Sequence, residues 1–443
     1  MGSSSMEEMA KLPSEEEVGF LRAMELSSGI AVMMVSKAAI ELGVFDIIAK
    51  AGEGAKLSAK QIADCLPTQN PNAPVMLDRM LKFLANQSIL KCTLTEDHQC
   101  SYSLTPISKN FVPNEDGVSL SAMVQLLADN VFVNPWYALK DAVLEGGVPF
   151  NRTHGMHAFE YPGKDSRFNE VFNRAMHDHS AIAMKRVLER YKGFEGAKGV
   201  VDVGGGYGST LSCIISKYPN IKGINFDLPH VIKEAPAIPG VEHIPGDMFE
   251  SVPCGEIIFM KWILHDWDDE HCLKLLKNCW KALPESGKVV LVEAILPEHP
   301  EKDVGYGCPF YADVLMMTMN PGGKERTQRQ FEALAKEAGF AALKVICPVN
   351  TEWVIELYNS KLQEDVEVFR CHQDLVCEAF FFTVPRANTN GKFIKNLRNH
   401  LSQVLPATLQ QFVALAAISQ HLEIANHHLV QHSSVAVGAS ADQ

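Results

Sequence analysis

A glycine-rich turn in the middle of the chain has residue types that let the backbone approach a bound ligand closely. An apolar segment, Gly-Val-Val-Asp-Val over 199–203, runs directly into Gly-Gly-Gly-Tyr-Gly over 204–208. Glycine accepts positive φ angles and has no Cβ to collide with a ligand. A dinucleotide-binding turn requires G-x-G-x-x-G, but Ser209 or Leu211 stands where the third glycine belongs. The spacing that fits is Asp202-x-Gly204-x-Gly206-x-Gly208, which alone is compatible with any Rossmann-like nucleotide-binding protein.

Further polar residues follow the next predicted strands at their carboxyl ends. Asp227 ends the second strand, where an acid accepts hydrogen bonds from ribose hydroxyls. Asp247 and Met248 follow the third strand and could flank an adenine ring. The segment from Lys261 to His265 follows the fourth strand, and Glu293 ends the fifth. Because ligands of open α/β sheets bind beyond the carboxyl ends of the strands, we expect one shared site at this edge.

The elements that position these residues alternate between strand and helix, which predicts an α/β fold with a mostly parallel, doubly wound sheet. The predicted strands are Gly199–Val203, Lys222–Asp227, Val241–Ile244, Glu256–Met260, Lys288–Val292, Leu343–Cys347 and Trp353–Leu357. The predicted helices are Thr210–Lys217, Asp269–Leu283 and Gln328–Ala338. Thr327, Gln330 and Gly339 supply a capping box and a C-terminal stop for the last of these helices.

The N-terminal part of the chain has a different pattern. Residues 15–50 predict one or two helices that are apolar around much of their circumference, so we expect a partner surface to cover them. Ser58 is a predicted N-cap, and a second helix over 75–84 precedes a hairpin of 89–94 and 99–104. This order is typical of a winged-helix module, whose functional interpretation would be DNA binding. The second helix offers only Arg79 and Lys82 as positive side chains, so we prefer dimerisation.

The composition bounds the class of protein. The 443 residues are 47% hydrophobic and 21% charged, as in a soluble globular protein, and the net charge of −13 opposes nucleic acid or an anionic membrane as partner. Eleven scattered cysteines without a C-x-x-C pair fit reduced thiols and predict no zinc site or disulfide framework. The start of the chain does not read as a signal peptide, so the expected location is cytoplasmic.

Five segments in order give the chain a family resemblance: Val201-Asp-Val-Gly-Gly-Gly206, Asn225-Phe-Asp-Leu-Pro229, Gly246-Asp-Met-Phe249, Lys261-Trp-Ile-Leu-His-Asp-Trp267 and Asn320-Pro-Gly-Gly-Lys-Glu-Arg326. They resemble plant phenolic O-methyltransferases of the caffeic acid type over about residues 15–360. The resemblance implies a Rossmann-like methyltransferase domain preceded by a mainly helical, winged-helix-like dimerisation domain. It also implies S-adenosyl-L-methionine as cofactor, a homodimer, and metal-independent transfer to a phenolic hydroxyl.

The resemblance also assigns roles to residues of this chain. His265 would be the general base, flanked by Glu293 and Glu325. The cofactor-binding residues would be Gly204, Asp227, Asp247, Met248 and Lys261. The acceptor pocket would be lined by Phe168, Phe172, Met176, His179, Met316 and Asn320, and Asp266 would touch the substrate. The expected divisions are a flexible terminus over 1–14, dimerisation over 15–118, a helical region contributing the pocket over 119–198, the cofactor-binding domain over 199–360, and an atypical extension over 361–443.

The chemistry of phenol methylation supports the role given to His265. A phenol has a pKa near ~10, so at pH 7 only about a thousandth is phenolate, a deficit of roughly 4 kcal/mol. A neutral imidazole can remove the proton while the oxygen attacks the methyl group, and nearby carboxylates then stabilise the imidazolium. Without the resemblance, His265 could equally be a structural histidine between Trp262 and Trp267, and Glu325 would be interpreted as a solvated charge.

Departures from the caffeic acid pattern bear on the acceptor. Leu127 stands where members often have Asn, and Ala312 where they often have Ile, which removes a polar contact and makes room. A bulkier phenolic, such as a coumarin, flavonoid, lignan or phenolic alkaloid, is therefore expected in place of a lignin precursor. The alternatives are an N-methyltransferase acting on a small amine, a winged-helix DNA-binding regulator, and a catalytically inactive binding protein. The extension over 361–443 carries no chemical motif and is expected to be nonfunctional.

Overall fold

Three short helices begin the part of the chain that the computed structural model describes, which is residues 14–300 and 307–359. They are α1 Glu15–Ser27, α2 Gly29–Glu41 and α3 Val44–Lys50. The prediction of one or two helices was wrong, because Ser28 ends α1 and Gly43, at φ +68°, separates α2 from α3. Helix α1 buries none of its residues, and its Phe20 and Met24 are 66% and 56% exposed. This exposed apolar face matches the expected partner surface.

A small helix-and-hairpin unit follows. Its elements are β1 Leu57–Ser58, α4 Ala59–Ala63, α5 Ala73–Asn86, β2 Leu90–Leu94 and β3 Cys100–Leu104. Ser58 is the N-cap of α4 and forms a capping box with Gln61, as predicted. The strands form an antiparallel sheet in the order β1-β3-β2, and Leu77, Leu81 and Leu84 of α5 pack into the core beneath it. The winged-helix prediction is therefore confirmed as an architecture.

A run of helices connects this unit to the main sheet, as the sequence predicts. The α-helices are α6 Pro106–Lys109, α7 Ser121–Leu127, α8 Asn130–Val133, α9 Leu139–Glu145, α10 Pro149–His154 and α11 Ser166–Arg190. Short 3₁₀ turns occupy Asn134–Ala138 and Tyr161–Gly163. Asp165 caps the 25-residue helix α11 by accepting a hydrogen bond from the Phe168 amide. Helix α11 therefore extends from the aromatic cluster of this region to the main sheet.

Seven strands build the main sheet in the order β11-β12-β8-β7-β4-β5-β6. They are β4 Gly199–Val203, β5 Lys222–Asp227, β6 Val241–Pro245, β7 Ile257–Lys261, β8 Lys288–Glu293, β11 Ala342–Val349 and β12 Glu352–Tyr358. A separate parallel pair joins β9 Ile295–Leu296 to β10 Arg326–Thr327. Strands β4 to β8 of the main sheet run parallel, while β12 runs antiparallel to β8 and β11. The α/β, doubly wound fold class is confirmed.

Helices cover both faces of this sheet. They are α12 Ser209–Lys217, α13 Pro229–Glu234, α14 Asp269–Ala282, α15 Gly307–Met319 and α16 Gln328–Ala338. Thr327 and Gln330 form the predicted capping box of α16, and Gly339 ends the helix at φ +106°. One face packs against α14 and α16, and the other packs against α11 and α12. The sequence did not predict α13 or α15.

Two expectations concern segments at the chain ends. The flexible terminus and the nonfunctional extension lie outside the described residues, apart from Ser14. Over the described ranges, no single helix is long and apolar enough to cross a membrane. Helices α1 and α2 together reach that length and composition, with a bend of 44° between them.

Candidate active site

The glycine-rich turn is joined to the end of the neighbouring strand. The Gly206 amide donates a hydrogen bond of 2.8 Å to the Asp227 carboxylate, whose other oxygen accepts from the Leu228 amide at 2.7 Å. Gly204 has φ +70°, and a Cβ at this position would lie 2.4 Å from the Ile263 side chain. A larger residue is therefore disfavoured by both backbone conformation and space. The structure brings Gly204 and Asp227 together at the edge predicted for the cofactor.

Asp247 and Met248 lie beside Asp227. The Gly246 amide donates to the Asp227 carbonyl at 2.9 Å, which brings the start of the next loop against the end of β5. Asp247 is exposed, and its carboxylate accepts a hydrogen bond from the Phe249 amide at 2.8 Å. Met248 packs against the core, and its carbonyl accepts from the Asn278 side chain at 3.0 Å. These contacts hold a polar and an apolar side chain at the carboxyl edge of the sheet, on the same rim that carries the glycine-rich turn.

Lys261 ends β7 beside an unusual tryptophan. Its ammonium nitrogen lies 3.9 Å from the ring centroid of Trp262, within the range of a cation–π interaction. Trp262 itself has φ +57°, a conformation that a bulky residue adopts only where its surroundings hold it. Burial lowers the pKa of Lys261 to about 8, although Glu352, Glu293 and Asp202 oppose that shift. Lys261 is thus a partly desolvated cation among carboxylates at the cofactor edge.

His265 lies four residues further along, in a 3₁₀ turn over Leu264–Asp266. Its Nδ1 is 2.8 Å from a carboxylate oxygen of Glu325, and both residues are buried. Glu293 accepts hydrogen bonds from the amides of Ile263 and Leu264, at 3.0 and 2.9 Å, so it fixes the backbone that carries His265. The predicted catalytic residues His265, Glu293 and Glu325 therefore form one cluster, which together with Asp266 is called the base cluster. Glu325 is 3% exposed, so its interpretation as a solvated charge was wrong.

The carboxylates around His265 shift the pKa values of the base cluster. Burial alone would lower the pKa of His265, but the charges of Glu325 and Asp266 and the hydrogen bond to Glu325 raise it to about 10. Burial raises the pKa of Asp266 to about 7 against the opposing effect of His265, and burial also raises the pKa of Glu293. The imidazole of His265 is therefore more basic than the carboxylate of Asp266. A reaction that needs neutral imidazole must run faster as pH rises.

Predicted acceptor residues form an apolar cluster against this base. Phe168, Phe172, Met176 and Met316 pack with Leu127 and Met319 where α7, α11 and α15 meet. Phe168 is 1% exposed and contacts Phe132 and Phe172, with ring centroids 5.7 and 6.3 Å away, so it supports the wall from behind. Asn320 follows α15, and its amide donates a hydrogen bond of 2.7 Å to Asp266. Asp266 in turn lies 3.8 Å from Nε2 of His265. The Asn320 amide also lies 3.7 Å from the sulfur of Met316, so Asn320 connects the apolar cluster to Asp266 and His265.

His179 lies elsewhere in the site. Its ring stacks on Trp262 with centroids 4.0 Å apart, and its Nε2 is 3.4 Å from Glu352. Burial, together with the charge of Lys261, holds the pKa of His179 well below its usual value. A neutral imidazole at this position lies beside Trp262 and near Lys261, which is predicted to bind the cofactor, whereas the resemblance assigned His179 to the acceptor. The role predicted for His179 thus stays a prediction.

Comparison with known proteins identifies the family. A family model described as an O-methyltransferase domain matches residues 136–341, and one described as an O-methyltransferase dimerisation domain matches residues 24–114. Caffeic acid 3-O-methyltransferase from Catharanthus roseus is 55% identical over 361 residues, covering 81% of this chain and 99% of the relative. The enzyme of that name from Prunus dulcis is 56% identical over 360 residues, covering 80% and 99%. The chain belongs to the O-methyltransferase family.

Solved structures agree with this assignment at the level of the fold. Human N-acetylserotonin methyltransferase, in complex with SAM, aligns with a TM-score of 0.67 and 22% identity over 79% of this chain and all of the other. CalO1, a methyltransferase of calicheamicin biosynthesis in its SAH-bound form, gives the same TM-score, identity and coverage. The protein is an O-methyltransferase that uses S-adenosyl-L-methionine, and the predictions of enzyme class and cofactor are confirmed.

One residue that organises the site of this O-methyltransferase was not predicted. Arg326 is fully buried and donates hydrogen bonds to the carbonyls of Leu264 and Trp267, at 2.7 and 2.8 Å. Its guanidinium also pairs with Asp269 at 2.8 Å. These bonds hold the loop on both sides of His265. The one signal for Arg326 in the sequence is its position in the fifth family segment, next to Glu325.

The side chains of His265, Glu293 and Glu325 could also bind a metal ion. One nitrogen of His265 and one oxygen from each of Glu293 and Glu325 lie within 4.8 Å of one another. His265 is instead hydrogen-bonded to Glu325, and Glu293 accepts from two backbone amides. These contacts give the three side chains structural partners of their own. The expected absence of a resident metal stays a prediction.

Glu325→Gln tests the electrostatic role of the base cluster. Removing this carboxylate is expected to lower the pKa of His265, so the rise of kcat/KM with pH should move at least about one pH unit toward acid. Glu325→Asp should keep the rise near its original position because it keeps the charge. The measurement is the pH profile of kcat/KM with one acceptor, whose own ionisation is common to all variants. An alkaline rise at the same pH in Glu325→Gln would contradict the assignment.

Proposed function

We propose that this O-methyltransferase methylates a phenolic hydroxyl with His265 as general base. The observation that carries the proposal is the buried His265–Glu325 contact of 2.8 Å beside a wall of aromatic and methionine side chains. Glu325 orients the ring, and the second ring nitrogen lies next to Asp266 and Asn320, which border the acceptor cluster. The names of the plant relatives, caffeic acid 3-O-methyltransferases, support an aromatic hydroxyl as acceptor.

The residues of this chain divide the reaction between binding and proton transfer. Bound S-adenosyl-L-methionine supplies a methyl group on a positively charged sulfur, which is already a strong electrophile. The apolar wall would hold the acceptor ring next to His265, and alignment of its hydroxyl with that methyl group would supply much of the rate gain. As the oxygen–carbon bond forms and the carbon–sulfur bond breaks, Nε2 of His265 takes the phenolic proton. Glu325 and Asp266 stabilise the resulting imidazolium until the proton passes to solvent.

The acceptor is proposed to be larger than a simple hydroxycinnamate. Leu127 packs in the apolar cluster, and Ala312 is partly buried on α15 next to it. Neither side chain offers a hydrogen bond to an acceptor substituent, so the wall favours apolar ring surface. Incubation with labelled S-adenosyl-L-methionine and a panel of caffeic acid, coumarins, flavonoids, lignans and phenolic alkaloids tests this. We expect a bulkier phenolic to have the highest kcat/KM, whereas preference for caffeic acid would contradict the proposal.

We also propose that the enzyme is a homodimer, which is supported by the matched dimerisation domain and by the apolar face of α1. Val18, Phe20, Leu21, Met24 and Leu26 are each at least half exposed on one short helix. Sedimentation equilibrium should give twice the chain mass, and replacing Leu21 and Met24 by glutamate should reduce it to the chain mass. A wild-type protein that sediments as a monomer would contradict the proposal.

Two alternatives have weaker support. DNA binding by the winged-helix unit would depend on Arg79 and Lys82, but the ammonium of Lys82 pairs with Asp78 at 2.7 Å. N-methylation does not require a base to the same degree, since an amine attacks in its neutral form, so it leaves the His265–Glu325 pair without a role. The absence of nucleic-acid and membrane partners and the cytoplasmic location stay predictions.

A further inference from the structure

A buried polar cluster lies between α11 and the main sheet, apart from the base cluster. It consists of Asp202, Lys261, Glu352 and His179. Val200, Phe259 and Val354 pack on the α11 face of the sheet. Asp202, Lys261 and Glu352 stand two positions from them along their strands, so their side chains lie on the same face. The sheet therefore assembles three charged residues from three strands beneath one helix.

Glu352 reaches this cluster because of the direction of its strand. Strand β12 runs antiparallel to β8, and Trp353 pairs with Glu293 at the end of β8. The first residue of β12 is therefore at the carboxyl edge of the parallel strands, where Lys261 ends β7. Glu352 also lies beyond residues 136–341, the range matched by the O-methyltransferase domain. None of the sequence motifs includes it.

Burial raises the pKa of the Glu352 carboxyl, and the charge of Lys261 opposes that shift most strongly. The residue is 1% exposed, and hydrogen bonds from its own amide and from Thr351 favour its charged form less than Lys261 does. Nε2 of His179 lies 3.4 Å from one of its carboxylate oxygens. His179 stacks on one side of Trp262, whose ring centroid also lies 3.9 Å from the ammonium of Lys261. A buried carboxylate of this kind is costly unless an opposite charge lies nearby.

Lys261 provides the nearby positive charge that the buried Glu352 carboxylate requires. The groups that face it are Glu352 from β12, Glu293 from β8, Asp202 from β4 and His179 from α11. Burial and the charge of Lys261 hold the pKa of His179 well below its usual value, so the neutral ring adds no second positive charge beside the ammonium. Among the three carboxylates, Glu352 does most to favour the charged ammonium, ahead of Glu293 and Asp202. It is also the carboxylate that lies against His179, whose ring stacks on Trp262.

We propose that Glu352 is a positioning residue for cofactor binding, which keeps the ammonium of Lys261 charged and fixed over Trp262. The proposal rests on the cofactor-binding role proposed for Lys261. Burial works against the charged form of Lys261, and Glu352 offsets it. With Glu352 neutral, the amine loses its proton at a lower pH, and the cofactor meets a neutral side chain. Substrate chemistry at His265 is not part of this role.

The test is binding of S-adenosylhomocysteine, which needs no turnover, by calorimetry between about pH 6 and pH 9.5. In the wild type, affinity should fall as pH rises through the pKa of Lys261, about 8. In Glu352→Gln the fall should move down by about one pH unit, so the affinity near pH 8 drops up to about tenfold. At pH 6 the two proteins should bind alike. Glu352→Asp keeps the charge and should retain the wild-type curve, and Glu337→Gln, an exposed change on α16, controls for net charge.

A double variant assigns the shift to Lys261. Asp202 faces the same ammonium, and burial followed by the charge of Asp227 raises its pKa to about 8, so it titrates in the same range. Glu352→Gln should weaken binding in the wild type but add nothing in a Lys261→Gln background. Equal loss in both backgrounds, equal loss at every pH, or no loss in Glu352→Gln would overturn the proposal. Wild-type affinity in Lys261→Gln alone would show instead that the role proposed for Lys261 is wrong.

Discussion

His265→Gln should lower kcat for phenol methylation by at least ~10²-fold at neutral pH, while the affinity for S-adenosylhomocysteine stays unchanged. Glutamine is close in size to histidine and can accept a hydrogen bond, but it cannot take up a proton as the ether bond forms. The residues predicted to bind the cofactor make their hydrogen bonds along a rim without His265; they are Gly204, Asp227, Asp247 and Met248. The loss is therefore expected in turnover alone.

A matched substitution separates this effect from a general response to losing a histidine. His299→Gln changes an exposed residue beyond β9 and should leave kcat within about twofold of the wild type. Steady-state turnover with a phenolic acceptor and calorimetry with S-adenosylhomocysteine give the two quantities. Undiminished turnover of His265→Gln would remove the general-base role. A parallel loss of cofactor affinity would show that His265 acts by shaping the rim.

Arg326→Met should lower both stability and turnover. It removes the hydrogen bonds to the carbonyls of Leu264 and Trp267 and the pair with Asp269. The two carbonyls then keep only weaker contacts, from the Trp267 amide at 3.3 Å and the Cys272 thiol at 3.2 and 3.6 Å. The expected loss is about 3 kcal/mol in the free energy of unfolding of the methyltransferase domain. Because those carbonyls bracket His265, kcat should also fall by roughly tenfold or more. Urea unfolding and steady-state kinetics measure the two effects.

Arg329 provides the control for this prediction. It lies three residues further on, its side chain is 81% exposed, and its contact is with Glu298 at 3.3 Å. Arg329→Met should change stability by no more than about 0.5 kcal/mol. Arg326→Lys, which keeps the charge but not the planar fork, should fall between wild type and Arg326→Met. Equal stabilities for Arg326→Met and Arg329→Met would contradict the proposed role of the buried guanidinium.

The sequence was most informative where apolar strands end in polar residues. Five parallel strands end in the glycine-rich turn or in a polar segment. The rule that ligands bind at the carboxyl edge was enough to group Gly204, Asp227, Lys261, His265 and Glu293. The capping signals at Ser58 and Thr327 were also reliable, because a side-chain oxygen three residues before a backbone donor is a local interaction. Both signals are local in the sequence: one is a polar residue directly after an apolar strand, and the other is a capping side chain close to its backbone partner.

Long-range contacts were what the sequence could not supply. Without the family resemblance, Glu325 would be interpreted as a solvated charge, and only the fold shows that it and Arg326 are buried against the His265 turn. Helix α15 was missed because Gly307 and Pro309 stand in its first turn and its apolar residues have no helical periodicity. Glu352 lies in no sequence motif, and it reaches the site only because β12 runs antiparallel to β8. In each case the deciding contact joins residues that are distant along the chain.

The pairing of β12 with β8 also affects the order in which parts of the enzyme can fold during synthesis. The winged-helix unit ends at β3 and depends on contacts within its own core, so it has what it needs early in synthesis. The central strand β8 pairs with β12 over six residues, Lys288–Glu293 against Trp353–Tyr358. Until β12 has left the ribosome, β8 is an unprotected sheet edge and Lys261 lacks one of its carboxylates. A nascent chain can therefore fold the unit that carries the exposed apolar face of α1 before the edge of the main sheet that carries Lys261 is complete.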